Sequence, residues 1–238
     1  MNKVLIYVSL TACLLVLSLV NVKSQSIDIS NATIINFEMN DKVVLKAVSM
    51  LQEEITKRST IILPVSNKMN KSAKPMILVG LENQTESFPA KVQKVLSEMP
   101  SIKNEGYRIA VMEENKTIAV IGVDARGVLY GIGKLLRKME IRTGQILVPV
   151  DLKIASSPAY PIRGHQLGYR PKTNSYDAWT PAQFDQYIRD LAIFGANSIE
   201  IMPPRTDDDF TSVHMKLPAI EMITEQIETL LRNSEVTC

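Results

Sequence analysis

The chain has 238 residues, 45% hydrophobic and 22% charged, enough for one large domain or two modest ones, and its composition excludes collagen-like, coiled-coil and disordered chains. Its formal charge of +2 rests on Lys3 and Lys23 in the leader. The body that remains is neutral, which excludes a phosphate-driven nucleic-acid binder.

At the N-terminus Lys3 precedes an apolar run from Val4 to Val20, and Val22-Lys23-Ser24 places small residues before a cut at Gln25. This predicts a secretory signal peptide over residues 1–24 and an exported chain, periplasmic or extracellular. Two other readings stay open. The run is only about a turn short of the roughly 20 residues that a membrane span needs, and Leu10-Thr11-Ala12-Cys13 resembles a bacterial lipobox. Sequons stand at Asn31, Asn70, Asn83 and Asn115 and bear on a host that glycosylates. Cys13 lies in the leader and Cys238 is the last residue, so the body has no disulfide or thiolate cage. With two histidines in all, a His-rich zinc site is not expected. No metal or other cofactor is expected.

Residues 25–157 alternate between periods of 2 and 3.6. Ala32–Phe37 reads as a strand. After Asn40-Asp41, a cap-type pair, Val44, Val48, Leu51 and Ile55 form one helical stripe. Ile61–Val65 and Met76–Leu81 read as strands, and a shorter helix over Pro89–Met99 turns Val92, Val95, Leu96 and Met99 inward. A hairpin follows. Tyr107, Ile109 and Val111 alternate, polar residues 113–116 make the turn, and Thr117–Val123 returns. Asp124 caps a helix striped by Val128, Leu129, Ile132, Leu135, Leu136 and Met139, and a strand near Ile146–Val150 ends the unit. The predicted fold is an α+β domain, a mixed sheet with helices on one face. Gly127, Gly131 and Gly133 fall inside a helix, not between strand and helix start, so they signal close packing on the sheet and not a phosphate loop.

From Tyr160 the pattern changes. Ile162–Tyr169 reads as a strand. Thr180-Pro181-Ala182-Gln183 is a capping box with proline at the first helical position. Phe184, Tyr187, Ile188, Leu191 and Ala192 share one face of that helix, Gly195 stops it, and Ser198–Met202 is a buried strand. Strand, helix, strand is the repeating unit of parallel α/β sheets and barrels. A second helix is expected around Pro218–Leu231. A (β/α)8 barrel takes about 250 residues, so residues 158–238 are expected to be its truncated start and the chain to be the front part of a larger protein.

The segment from Glu105 to Met112, then Thr117–Val123, then Gly127 to Leu136, resembles the accessory domain before the catalytic barrel of family 20 β-N-acetylhexosaminidases. Family 67 α-glucuronidases share a similar domain. In both a "YP-x-RG" strand opens the barrel, and Tyr160-Pro161-Ile162-Arg163-Gly164 stands at that position. The resemblance implies an exported glycoside hydrolase acting on O-glycosidic bonds of poly- or oligosaccharides, with a carbohydrate substrate. It also implies that Arg163 binds sugar hydroxyls, a task suited to a guanidinium's fixed fork of donors; the competing reading pairs Arg163 with a carboxylate at the barrel floor. After Gly164 the chain departs from the hexosaminidase pattern, reading His165-Gln166-Leu167-Gly168-Tyr169-Arg170.

Active sites of such barrels open at the C-terminal strand ends. There lie His165, Gln166, Tyr169 and Arg170 on the first strand, and Pro204 and Arg205 on the second. His165 is either sugar-facing or a satisfied inward histidine. Asp207-Asp208-Asp209 reads as a solvated loop, and Trp179 as a stacking platform or a packing residue. Glycosidic cleavage needs two placed carboxyl groups, or one with a substrate acetamide. In the resembled enzymes these come from a fourth barrel strand, and neither Glu200 on its strand nor Glu221 and Glu225 on a helix replaces them. No catalytic residue is therefore assigned, and the chain is expected to be inactive alone. The alternative is a non-catalytic carbohydrate-binding or scaffold module. A metalloprotease is disfavoured because no H-E-x-x-H occurs.

Overall fold

The computed structural model describes residues 25–69, 75–167 and 180–201. The leader, Asn70, Tyr169, Arg170, Trp179, Pro204, Arg205, the run 207–209 and the helix expected at 218–231 lie outside the described residues.

The strands of the main sheet follow from apolar runs. β2 (Thr33–Asn36), β3 (Val65–Ser66), β4 (Met76–Leu81), β5 (Tyr107–Met112), β6 (Thr117–Gly122) and β9 (Lys153–Ser156) form six strands in the order β3-β2-β4-β6-β5-β9. The β2–β3, β2–β4 and β4–β6 pairs are parallel, whereas β5 runs antiparallel to β6 and β9. The parallel strands therefore end together, and that end carries the junction described below. β1 (Ser26–Asp28), β7 (Glu140–Arg142) and β8 (Gln145–Pro149) make a small antiparallel sheet in the order β1-β8-β7.

Side chains alternate across a strand, so β4 and β6 feed two cores. Ile77, Val79, Ile118 and Val120 join Ile34 and Ile109 beneath α1 (Lys42–Ser59) and α3 (Ala125–Lys138). On the reverse face Ile35, Leu78, Ala110, Ala119 and Ile121 pack with Phe88 and with Val92 and Leu96 of α2 (Ala90–Ser97). This corrects the expected single helical layer: helices cover both faces. The cause is legible in retrospect. Parallel strands buried on both sides read as continuous apolar runs, and MILVGL and TIAVIG are such runs.

The helix ends obey their caps. The Asp41 carboxylate accepts from Val43 and Val44 N–H at 2.8 and 3.1 Å, and Asp124 accepts from Gly127 N–H at 2.8 Å, each satisfying amides that the first helical turn leaves open. The strand expected over Ile61–Val65 shrinks to Val65–Ser66 at the sheet edge, because Pro64 has no N–H to give to a ladder.

Beyond residue 157 two short strands, β10 (Gly164–Leu167) and β11 (Ser198–Ile201), pair in parallel, Gly164 opposite Ser198 and Leu167 opposite Ile201. Between them α4 (Pro181–Ile193) opens on the expected box: Thr180 Oγ1 accepts from Gln183 N–H, and Thr180 N–H donates to Gln183 Oε1 at 2.8 Å. Gly195 takes φ +99° after its end. The helix buries Phe184 and Ile188, and its last turn, Ala192 and Ile193, joins the core of α1 and α3. Arg189 pairs with Glu53 of α1.

The three glycines of α3 divide their work. A Cβ on Gly127 would collide with the carbonyl oxygen of Gly106, and one on Gly131 would lie 2.9 Å from Val120 Cγ1 and 3.1 Å from Tyr107 Cβ, so both serve packing on the sheet side. Gly133 faces the other way. A Cβ there would strike the backbone of Ile193, so this glycine admits α4 and not the sheet.

Candidate functional site

The groups that meet at the junction come from four elements. Lys103–Gly106 is a turn closed by Gly106 N–H to Lys103 O at 2.8 Å. Its third residue, Glu105, has φ +58°, a left-handed conformation that usually goes to glycine or asparagine. Asp124, which already caps α3, accepts from the Glu105 amide with its second oxygen at 2.7 Å. The turn and the helix start are thus fastened to each other.

The Glu105 carboxylate then gathers three donors. Arg126 Nη1 lies 2.9 Å from Oε1, Arg163 Nη2 lies 2.7 Å from Oε2, and Asn197 Nδ2 stands 3.4 Å from each oxygen. The carboxylate side chain is 14% exposed and the Arg163 side chain 21%. Burial pushes the Glu105 carboxyl up, but the hydrogen bonds from Arg126, Arg163 and Asn197 outweigh it and hold the group below its ordinary value. It is an ionised acceptor. A general acid for glycoside cleavage needs the opposite shift.

Arg163 stands immediately before β10, at the strand's N-terminal end. Its Nε donates to Gly195 O at 2.8 Å and its Nη1 to Tyr160 O at 2.9 Å, and the guanidinium carbon lies 5.1 Å from the centre of the Tyr130 ring. Asn197, just before β11, exchanges two bonds with the Arg163 backbone: its N–H gives to Arg163 O at 3.1 Å, and its Oδ1 accepts from Arg163 N–H at 2.8 Å. The structure therefore brings Arg163 to the carboxylate of Glu105, on the turn before β5.

His165 lies two residues further along β10 and faces α4, with Nε2 2.9 Å from the Tyr187 hydroxyl and the rings edge-on at 5.6 Å between centroids. It is half-buried, and it does not meet Arg163's cluster. Glu200 is exposed on β11.

Around the cluster opens a cleft of about 770 Å³ whose wall includes Asp41, Lys103, Glu105, Asp124, Arg126 and Tyr160. Tyr160 is 73% exposed. Among the described residues no group of three or more His, Cys, Asp or Glu side chains is placed to hold a metal ion, and no helix is long and apolar enough to cross a membrane.

Sequence reasoning missed Glu105, Arg126 and Asn197 as members of a site. Asn197 carried a weak signal, an amide between the helix-ending Gly195 and a strand expected to be buried, although Ser198 and Glu200 of β11 are exposed and Ile199 is half-buried. Glu105 carried none, because its partner Arg163 is 58 positions away.

Residues 21–135 match the family described as the Glycosyl hydrolase family 67 N-terminus. Among solved structures, CpGH84B superposes with a TM-score of 0.56 at 16% identity, over 91% of this chain and 34% of its own. The GH20 exo-β-N-acetylglucosaminidase of Vibrio harveyi gives 0.54 at 17% identity, over 76% and 24%. BtGH115A, a family GH115 4-O-methyl-α-glucuronidase with specificity for decorated arabinogalactans, gives 0.52 at 16% identity, over 74% and 25%. The chain spans 34% of the first of these structures and about a quarter of the other two. No curated protein sequence matches it.

Proposed function

We propose, from the correspondence of residues 21–135 with a glycosyl hydrolase family 67 N-terminus, that the chain is the N-terminal portion of an exported glycoside hydrolase. The whole protein acts on O-glycosidic bonds of oligo- or polysaccharides, in hexosaminidase-like or α-glucuronidase-like fashion. Residues 25–157 are its accessory domain. Residues 158–238 begin a (β/α)8 barrel, a reading supported by the parallel β10–α4–β11 unit that follows the accessory domain. Residues 1–24 are a cleaved leader.

In this reading the chain alone hydrolyses nothing. What supports it is how the acids of the cleft wall are engaged: Glu105 is held ionised by three donors, both oxygens of Asp124 accept from backbone N–H groups, and Asp41 caps α1 through Val43 and Val44 N–H. Purified chain offered a panel of aryl glycosides is expected to give no turnover above a denatured control, and turnover would end the proposal. Arg163, just before the first strand, and His165, on it, enter as sugar contacts. Calorimetry with chito- and xylo-oligosaccharides tests this: affinity lost at least tenfold in Arg163→Lys or His165→Ala supports contact, and unchanged affinity leaves both residues to the ties described above. Binding by the chain without any turnover from the full-length protein would favour the non-catalytic carbohydrate module instead. Intact-mass and peptide mass spectrometry of exported protein are expected to place its N-terminus at Gln25, as glutamine or as the pyroglutamate it forms.

A further inference from the structure

We infer that Glu105 is an interdomain positioning residue, through which residues 25–157 set the placement of the strand pair β10–β11. The inference does not depend on what that pair binds.

Four observations converge on it. The residue occupies a left-handed backbone position, φ +58°, that glycine would fill without strain, and glycine stands next to it at 106. A side chain is kept there, and its two oxygens meet both strand starts, Arg163 before β10 and Asn197 before β11. Those two residues are themselves cross-bonded through Arg163 N–H to Asn197 Oδ1 and Asn197 N–H to Arg163 O, so one carboxylate addresses a pair already in register. Finally, the carboxylate is not free to follow the strands. Its own amide is held by Asp124 at the start of α3, and Arg126 of α3 grips its other oxygen.

The arrangement has a direction. On one side lie the cap and first turn of a helix buried against the six-stranded sheet; on the other lie two four-residue strands whose starts are polar. The firm side positions the weaker one. A second contact limits the remaining freedom, since the backbone of Ile193 rests on Gly133 and Arg137 Nη1 donates to Ile193 O.

Amide hydrogen exchange on the full chain tests this with three variants. In Glu105→Gln, exchange within Gly164–Leu167 and Ser198–Ile201 is expected to rise about tenfold, the scale of a lost charged hydrogen bond, while β4 and β6 change less than about twofold. Glu105→Gly relaxes the turn, so a residue with only a backbone role would gain protection; the same loosening of the strand pair is expected instead. Glu105→Asp keeps the charge at a residue type that tolerates left-handed backbone and is expected to restore protection above that of the glutamine variant. Unchanged exchange in Glu105→Gln, a rise of the same factor at β4 and β6, or an aspartate no better than glutamine overturns the inference.

Discussion

The two regions of this molecule, residues 25–157 and 158–201, solve the same problem with unequal means. Residues 25–157 bury a six-stranded sheet on both faces, and every residue of β6 is buried. Residues 158–201 offer two four-residue strands and one helix, and the last turn of that helix completes its burial in the first unit's core. A short parallel pair has little apolar area of its own, and burial scales with the area removed from water. Stability in the second unit is therefore largely borrowed, and damage should travel in one direction.

The largest effect tests that direction. Leu78→Ala empties a fully buried position under α2 and should cost about 2–5 kcal/mol. Denaturant unfolding followed by exchange should show β10, β11 and α4 losing protection together with β4. Survival of the strand pair while β4 opens would make the units independent. Gly133→Ala comes next. Its methyl would press on the Ile193 backbone, a cost of about 1–3 kcal/mol where neither backbone can yield. Exchange should rise along α4 and leave β4–β6 near wild type. Thr180→Ala removes the capping box for about 0.5–2 kcal/mol, and its effect should stop within the first turns of α4, with the melting temperature of the main transition little moved.

Acid gives the finest cut. Glu105 titrates below its ordinary value of 4.5 when folded, so its contribution is present above that pH and is lost as the pH falls through the folded value. Protection of β10–β11, corrected for the chemical exchange rate, should fall on acidification in the wild type and stay flat in Glu105→Gln. Parallel curves for the two proteins would assign the acid response to other carboxylates.

Much of this was readable in the residues. The stripes Val44–Ile55 and Val128–Met139, the caps Asp41 and Asp124 and the box at Thr180 each state a local rule that the fold obeys. The short strands β1, β7 and β9 were not readable, because three or four residues carry no dependable period. The second apolar face was hidden by the assumption that one side of a sheet is wet; Leu78, Ala119 and Ile121 contradict it in plain view. The junction was the least legible part. Arg163 stood out by its motif, but its partner is fixed by a turn conformation that glutamate seldom adopts, and no local pattern announces a contact across 58 positions.

The contact at Gly133 has a consequence for motion. Where helices slide, they do so on layers of side chains that can exchange rotamers as they pass. Here the main chain of α3 at Gly133 lies directly on the main chain at the end of α4, while Ala192 and Ile193 pack into the shared core and Arg137 lies over the Phe194 ring. Sliding along this seam would have to displace a backbone contact, so the two regions should tumble in solution with a single rotational correlation time.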